Sequence, residues 1–154
     1  MTIIELKDRT DLASDIKLSS LYAQFGVLLS ELRKKQLNEE LIKSINAFIE
    51  TINASTVTGN KFKKLVKQAQ TAIVKQVEKE HKIVPKNHYR TLWMLLGFTA
   101  FGLPIGMAFG LSVGNIGLMA IGLPIGMAIG AAVGSSMDKK AEQEGRQLNV
   151  EIRS

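Results

Sequence analysis

The chain has 154 residues, 45% hydrophobic and 22% charged, with a formal net charge of +6 and no cysteine. Absent cysteine excludes disulfides, thiolate metal sites and thiol nucleophiles. The averages hide a split: the 46 residues from Leu92 to Met137 contain no Asp, Glu, Lys, Arg or His, which excludes both one uniform globular domain and a chain disordered throughout.

Residues 1–13 are mixed in character and read as loose. The first 17 residues carry Glu5, Lys7, Asp8, Arg9, Asp11, Asp15 and Lys17, which no signal-peptide core tolerates. Asp8, Asp11 and Asp15 share one helical spacing and read as surface acids. No lipidation motif is present, since residue 2 is Thr and cysteine is lacking.

From Ser14 a helical period begins. Leu18, Leu21, Tyr22, Phe25, Leu28, Leu29 and Leu32 recur at three- and four-residue steps and share one face. Arg33-Lys34-Lys35 closes the run, where positive charge suits the negative end of a helix dipole. Asn38 is the expected N-cap of a second helix, with Glu39 and Glu40 in its first turn. Its stripe is Leu41, Ile42, Ile45, Phe48, Ile49 and Ile52. Thr56–Asn60 reads as a break. A third helix is expected from about Lys61 to Ile83, ended by Pro85, with Phe62, Leu65, Val66, Ala69, Ile73 and Val77 as its stripe. Three amphipathic stripes can bury one another as a small bundle.

Charge is concentrated at the end of that region. Residues 59–90 hold 9 basic and 2 acidic side chains, against 7 and 8 in residues 1–58 and 4 of each from Asp138 onward. The basic run reads either as a solvated helix face or as a juxtamembrane segment attracted to anionic lipid head groups, at about 1 kcal/mol per base. No aromatic interleaving accompanies the lysines, so nucleic acid is not an expected partner.

The apolar stretch contains an internal repeat. Residues 101–114, FGLPIGMAFGLSVG, and 121–134, IGLPIGMAIGAAVG, agree at ten of fourteen positions with a period of 20. One helical span needs about 20 apolar residues, so two spans are expected, about 92–113 and 116–137. The turn falls at Gly114-Asn115-Ile116-Gly117, where the stretch has turn chemistry. Lysines and arginines flank the outer ends and are absent from the turn, which predicts both termini in the cytoplasm of a multi-pass membrane protein. Lys82, Lys86, Tyr89, Arg90, Trp93, Lys139 and Lys140 are the expected lipid-interface residues.

Eight glycines form two ladders of four-residue spacing: Gly102, Gly106, Gly110, Gly114, and Gly122, Gly126, Gly130, Gly134. In lipid, close backbone approach through small residues draws helices together, so the ladders read as a helix-packing surface. A hairpin turning near Asn115–Ile116 pairs Gly102 with Gly130, Gly106 with Gly126 and Gly110 with Gly122. The same spacing also serves contact with neighbouring copies, and the sequence leaves that choice open. Pro104 and Pro124 hold equivalent places in the two repeats and read as helix kinks.

The motifs GLPIGMAFGLSVG and GLPIGMAIGAAVG, the latter followed by SSMDKK, resemble the bacterial glycine-zipper two-transmembrane proteins over roughly residues 92–140. The resemblance implies a packed membrane hairpin in a bacterial inner membrane and specifies no activity. The preceding 90 residues resemble no family.

His81 and His88 lack partners at metal-ligand spacing, and TGNK at 58–61 lacks the flanking pattern of a phosphate loop. No enzyme chemistry and no cofactor is expected. The fold expected is all-α: a cytoplasmic bundle of about three amphipathic helices in residues 1–86, a transmembrane hairpin in 87–137, and a charged cytoplasmic tail in 138–154. The expected function is a hairpin that anchors and oligomerises a helical protein-binding domain, with anionic lipid, further copies and a protein as partners. The alternative is an oligomeric pore gated by the helical domain.

Overall fold

The structure, a computed structural model, describes residues 2–10, 12 and 15–152. Ser14 and Asp11, a helix start and a surface acid in the reading above, lie outside the described residues. Among the described residues the fold is all-α apart from two paired two-residue strands, β1 (Val84–Pro85) and β2 (Gln147–Leu148). The chain divides into two compact units, Met1–Pro85 with Leu148–Ser154, and Lys86–Gln147.

In the first unit, Asp15 is extended and its carboxylate accepts the N–H groups of Lys17 and Leu18, both at 3.0 Å. That satisfies donors a helix start otherwise leaves open, so α1 (Ile16–Arg33) begins there. Asn38 caps α2 (Glu39–Ala54) as expected, accepting Leu41 N–H at 2.8 Å. Helix α3 (Gly59–His81) starts two residues before the predicted Lys61. It ends at His81, two residues before the predicted Ile83, because Lys82 takes a left-handed conformation and donates its N–H to the Glu78 carbonyl.

The three stripes meet. Phe25, Leu28 and Leu32 of α1, Ile45, Ile49 and Ile52 of α2, and Phe62, Val66 and Ile73 of α3 are buried. Gln70 is buried within this apolar surround and is satisfied by Gln24 at 3.3 Å.

Residues 2–7 and 148–152 pack onto this core, where the sequence read loose residues and a charged tail. Ile3 is buried, and Asn46 and Asn53 of α2 hydrogen-bond the main chain of residues 2–7. At the other end Leu148 and Val150 are buried and Ile152 is partly so. The alternation Leu148-Asn149-Val150-Glu151-Ile152 places one face of this extended segment inward. Asn149 N–H donates to Glu31 at 3.0 Å, and Gln24 donates to the Glu151 carbonyl at 2.7 Å.

The second unit is a helical hairpin. Its first limb is α4 (His88–Gly97), a π-helical turn at Phe98–Gly102 and α5 (Leu103–Val113). Its second limb is a 3-10 turn at Ile116–Ile121 followed by α6 (Gly122–Gln143). The limbs exceed the predicted spans at their outer ends: the first begins at His88 rather than Leu92, and α6 runs six residues past Met137.

Candidate functional site: a glycine-lined helical hairpin

Both limbs are long and apolar enough to cross a membrane: His88–Val113 with 26 residues and Ile116–Gln143 with 28. At 1.5 Å per residue they span roughly 39 and 42 Å, more than the roughly 30 Å of a hydrocarbon core.

The interior of the hairpin is made of glycine. Gly97, Gly102, Gly106, Gly110, Gly122, Gly126, Gly130 and Gly134 are buried. The large apolar side chains point outward instead: Leu95 is 65% exposed, Phe109 53% and Leu111 75%. Leu92, Phe101, Leu103, Ile125 and Ile129 are exposed as well. A water-soluble hairpin would do the reverse, since burying each such side chain is worth about 1.5–3 kcal/mol.

The two ladders face each other within one chain. A β-carbon on Gly122 would collide with the backbone of Gly106 and Gly102, and one on Gly126 with Gly102 and Gly97. On Gly130 it would strike the Trp93 carbonyl, and on Gly134 the Tyr89 carbonyl and the Arg90 backbone. The reverse contacts are as close: Gly97 meets the Gly126 carbonyl, and Gly106 the Met119 carbonyl. Such backbone approach suits weak Cα–H···O=C contacts, about 0.5–1 kcal/mol each.

The register differs from the predicted pairs. Gly126 lies between Gly97 and Gly102 instead of opposite Gly106, and Gly122 lies between Gly102 and Gly106 instead of opposite Gly110. Two features cause the shift. The reversal lies at Gly114-Asn115, and the following six residues form a 3-10 turn, which rises about 2.0 Å per residue. Both carry α6 toward the open end of the hairpin.

Gly114 is no rung of the ladder. Its φ is +69° and a β-carbon there would meet no other part of the chain. It ends α5: Gly114 N–H donates to Leu111 and Asn115 N–H to Gly110, the paired bonds of a Schellman motif. Gly110 is a looser rung, facing the Met119 side chain and the Asn115 carbonyl.

Gly97 is a rung that four-residue spacing hides, because it precedes Gly102 by five. In an α-helix five steps of about 100° would turn it off the face. The π-turn at Phe98–Gly102 absorbs the extra residue and keeps Gly97 inward. The prolines follow the same logic. Pro104 is the second residue of α5, behind the π-turn, and Pro124 the third of α6, behind the 3-10 turn. Each break in the α-helical ladder precedes its proline, where the missing N–H is least missed.

At the open end Asp138 closes the interface. It is buried at 7% exposure, and its carboxylate accepts Tyr89 N–H at 3.0 Å and Arg90 N–H at 2.9 Å. Helix α4 has no cap of its own, since Asn87 is left-handed and its side chain caps nothing. Asp138 therefore caps α4 from the other limb, where a carboxylate also suits the positive end of the helix dipole.

The expected interface residues divide. Tyr89 and Trp93 are half-buried and offer their carbonyls to the ladder, whereas Lys86, Arg90, Lys139 and Lys140 are exposed. Lys82 belongs to the first unit, at the end of α3. The hydroxyls of Thr99, Ser112 and Ser136 donate to carbonyls of their own helix three or four residues back, which satisfies them without water. His81 accepts Asn38 N–H at 3.5 Å. Among the described residues no group of three His, Asp or Glu converges on a metal site.

No family model, no curated protein and no solved structure matches this chain.

Proposed function

We propose that the chain is an integral membrane protein whose glycine-packed hairpin anchors a helical protein-binding module at the cytoplasmic face of a bacterial inner membrane. The observation that carries this reading is the inverted hairpin: a glycine interior and an outer surface of Leu, Ile, Phe and Val. Lipid stabilises such a surface and water does not.

Two further features support an anchor rather than an aqueous pore. The hydroxyls of Thr99, Ser112 and Ser136 are spent on their own helix carbonyls. The glycine faces are consumed within the chain, so any association between copies uses other faces. Exposed Lys61, Lys64, Lys67, Lys75 and Lys79 line α3, and a lysine row of this kind attracts anionic lipid at about 1 kcal/mol per base near the surface. The resemblance of the repeat to bacterial glycine-zipper two-transmembrane proteins belongs to the same proposal.

Alkaline carbonate extraction of isolated membranes tests it. An integral hairpin stays in the pellet. Release into the supernatant would show a protein held by charge alone.

A further inference from the structure

Residues 2–9 lie extended along α2, and the bonds that hold residues 2–7 go to their main chain. Asn46 Oδ1 accepts Ile4 N–H and its Nδ2 donates to the Thr2 carbonyl, both at 3.0 Å. Asn53 repeats the pattern, with Lys7 N–H at 2.9 Å and the Glu5 carbonyl at 3.0 Å. Arg33 donates to the carbonyls of Ile3 at 3.0 Å and Ile4 at 2.7 Å, and the Tyr22 hydroxyl to that of Lys7 at 2.9 Å.

The spacing makes the two asparagines a ruler. Each carboxamide binds the carbonyl before and the N–H after one residue, Ile3 or Leu6, as a neighbouring parallel strand would. The bracketed residues are three apart, about 10 Å along an extended chain. The asparagines are seven apart, about 10.5 Å along a helix and on the same face. One helix face thereby reads the backbone of an extended chain, largely without regard to its side chains. The resident segment is also weakly buried: Ile3 is buried, Ile4 and Leu6 are only half-buried, and five of the seven bonds are solvent-exposed. Few buried apolar contacts and exposed bonds mark a segment that opens at low cost.

We propose that this groove is the partner site of the helical module: it takes an extended segment of a partner protein, aliphatic at the places of Ile3, Ile4 and Leu6, which displaces residues 2–9. The proposal rests on reading the first unit as a protein-binding module and names how it binds.

The test uses the full chain in detergent and a fluorescent peptide of the chain's own residues 2–10. Ile3→Asp sets a charge in a buried place and releases the resident segment. Circular dichroism shows whether the helices persist. If they do not, a chain with Thr2–Asp8 replaced by a Gly-Ser run takes its place. The released chain is expected to bind the peptide at least about tenfold more tightly than the unaltered chain, whose own segment competes. N-methylation of the peptide at Ile4 and Lys7, the amides that donate to Asn46 and Asn53, should weaken binding by about tenfold or more. N-methylation at Leu6 controls for stiffening of the peptide and should do little. No binding by a helical released chain, or equal binding of all three peptides, overturns the proposal. A chain that fails here yet resists carbonate extraction keeps the anchor and loses the clamp.

Discussion

The carboxylate of Asp138 accepts the backbone N–H of Arg90 at 2.9 Å, so the start of one limb of the hairpin is capped by a residue 48 positions later. It holds Tyr89 N–H at 3.0 Å as well. Asp138 stands four residues beyond Gly134 and continues the ladder one step past its last glycine. The interface thus changes from bare backbone contact to charge-assisted hydrogen bonding where the apolar stretch ends.

Asp138→Ala should leave two N–H groups without their partner and lower the stability of the hairpin by about 2 kcal/mol. Asp138→Asn keeps one acceptor oxygen and should lose about half of that. Thermal unfolding in detergent followed by circular dichroism measures both. Equal melting of all three proteins would show that the cap contributes nothing.

The ladder glycines should differ sharply in tolerance. Gly126→Ala drives a methyl group into the backbone of Gly97 and Gly102, where neither neighbour can yield, and a loss of about 1–3 kcal/mol is expected. Gly110→Ala meets the flexible Met119 side chain at 2.9 Å and should cost less. Gly114→Ala meets no neighbour but carries a φ of +69°, so its cost is conformational, about 1 kcal/mol. The same melting assay ranks the three, and Gly126→Ala must be the worst.

Deletion of Ala100 should be tolerated. It shortens the step from Gly97 to Gly102 from five residues to four, so the π-turn can close as an ordinary α-turn with both glycines still inward. Deletion of Ala108 cuts a four-residue step to three and should rotate Gly110 and the turn beyond it by about 100° relative to Gly106. Comparable melting temperatures for the two deletions would contradict the role given to the π-turn.

Docking of the C-terminal segment should depend on pH through Glu31. Its carboxylate is held below the usual range, first by its hydrogen bond to Lys34 and then by Asn149 N–H, against a smaller opposing effect of burial. A carboxyl whose folded value is depressed contributes stability above its unfolded value of about 4.3, and loses it as pH falls through the lower folded value. The protection of Asn149 N–H against hydrogen exchange, taken relative to the intrinsic rate at each pH, should therefore hold at pH 7 and fall below about pH 4. In Glu31→Gln the exchange should be faster at neutral pH and lack that acid step.

The sequence displayed the parts governed by a single period. Three stripes of 3.6-residue spacing met as drawn, and Asn38 capped the helix it was expected to cap. What it concealed depends on a change of period or on contact across the chain. Gly97 was hidden because a five-residue step looks like a break until a π-turn absorbs it. Asp138 was hidden because its charge marked the end of a span, while its place on the glycine face is visible only by extending the ladder one step. The segment from Leu148 to Ile152 alternates with a two-residue period, which the charges around it masked.

A membrane anchor of two spans must expose its hairpin tip on the side opposite its ends, and chemical labelling reads that sidedness. The chain has no cysteine, so single cysteines at Ser20, Asn115 and Glu142 can be labelled on intact cells with a membrane-impermeant thiol reagent. Asn115 lies in the turn between the limbs, and Ser20 and Glu142 are exposed on α1 and near the end of α6. Labelling is expected at Asn115 alone, with Ser20 and Glu142 reacting only after lysis. Labelling of Ser20 or Glu142 on intact cells, or failure of Asn115 to react while both others react after lysis, would contradict a two-span anchor with its helical module inside.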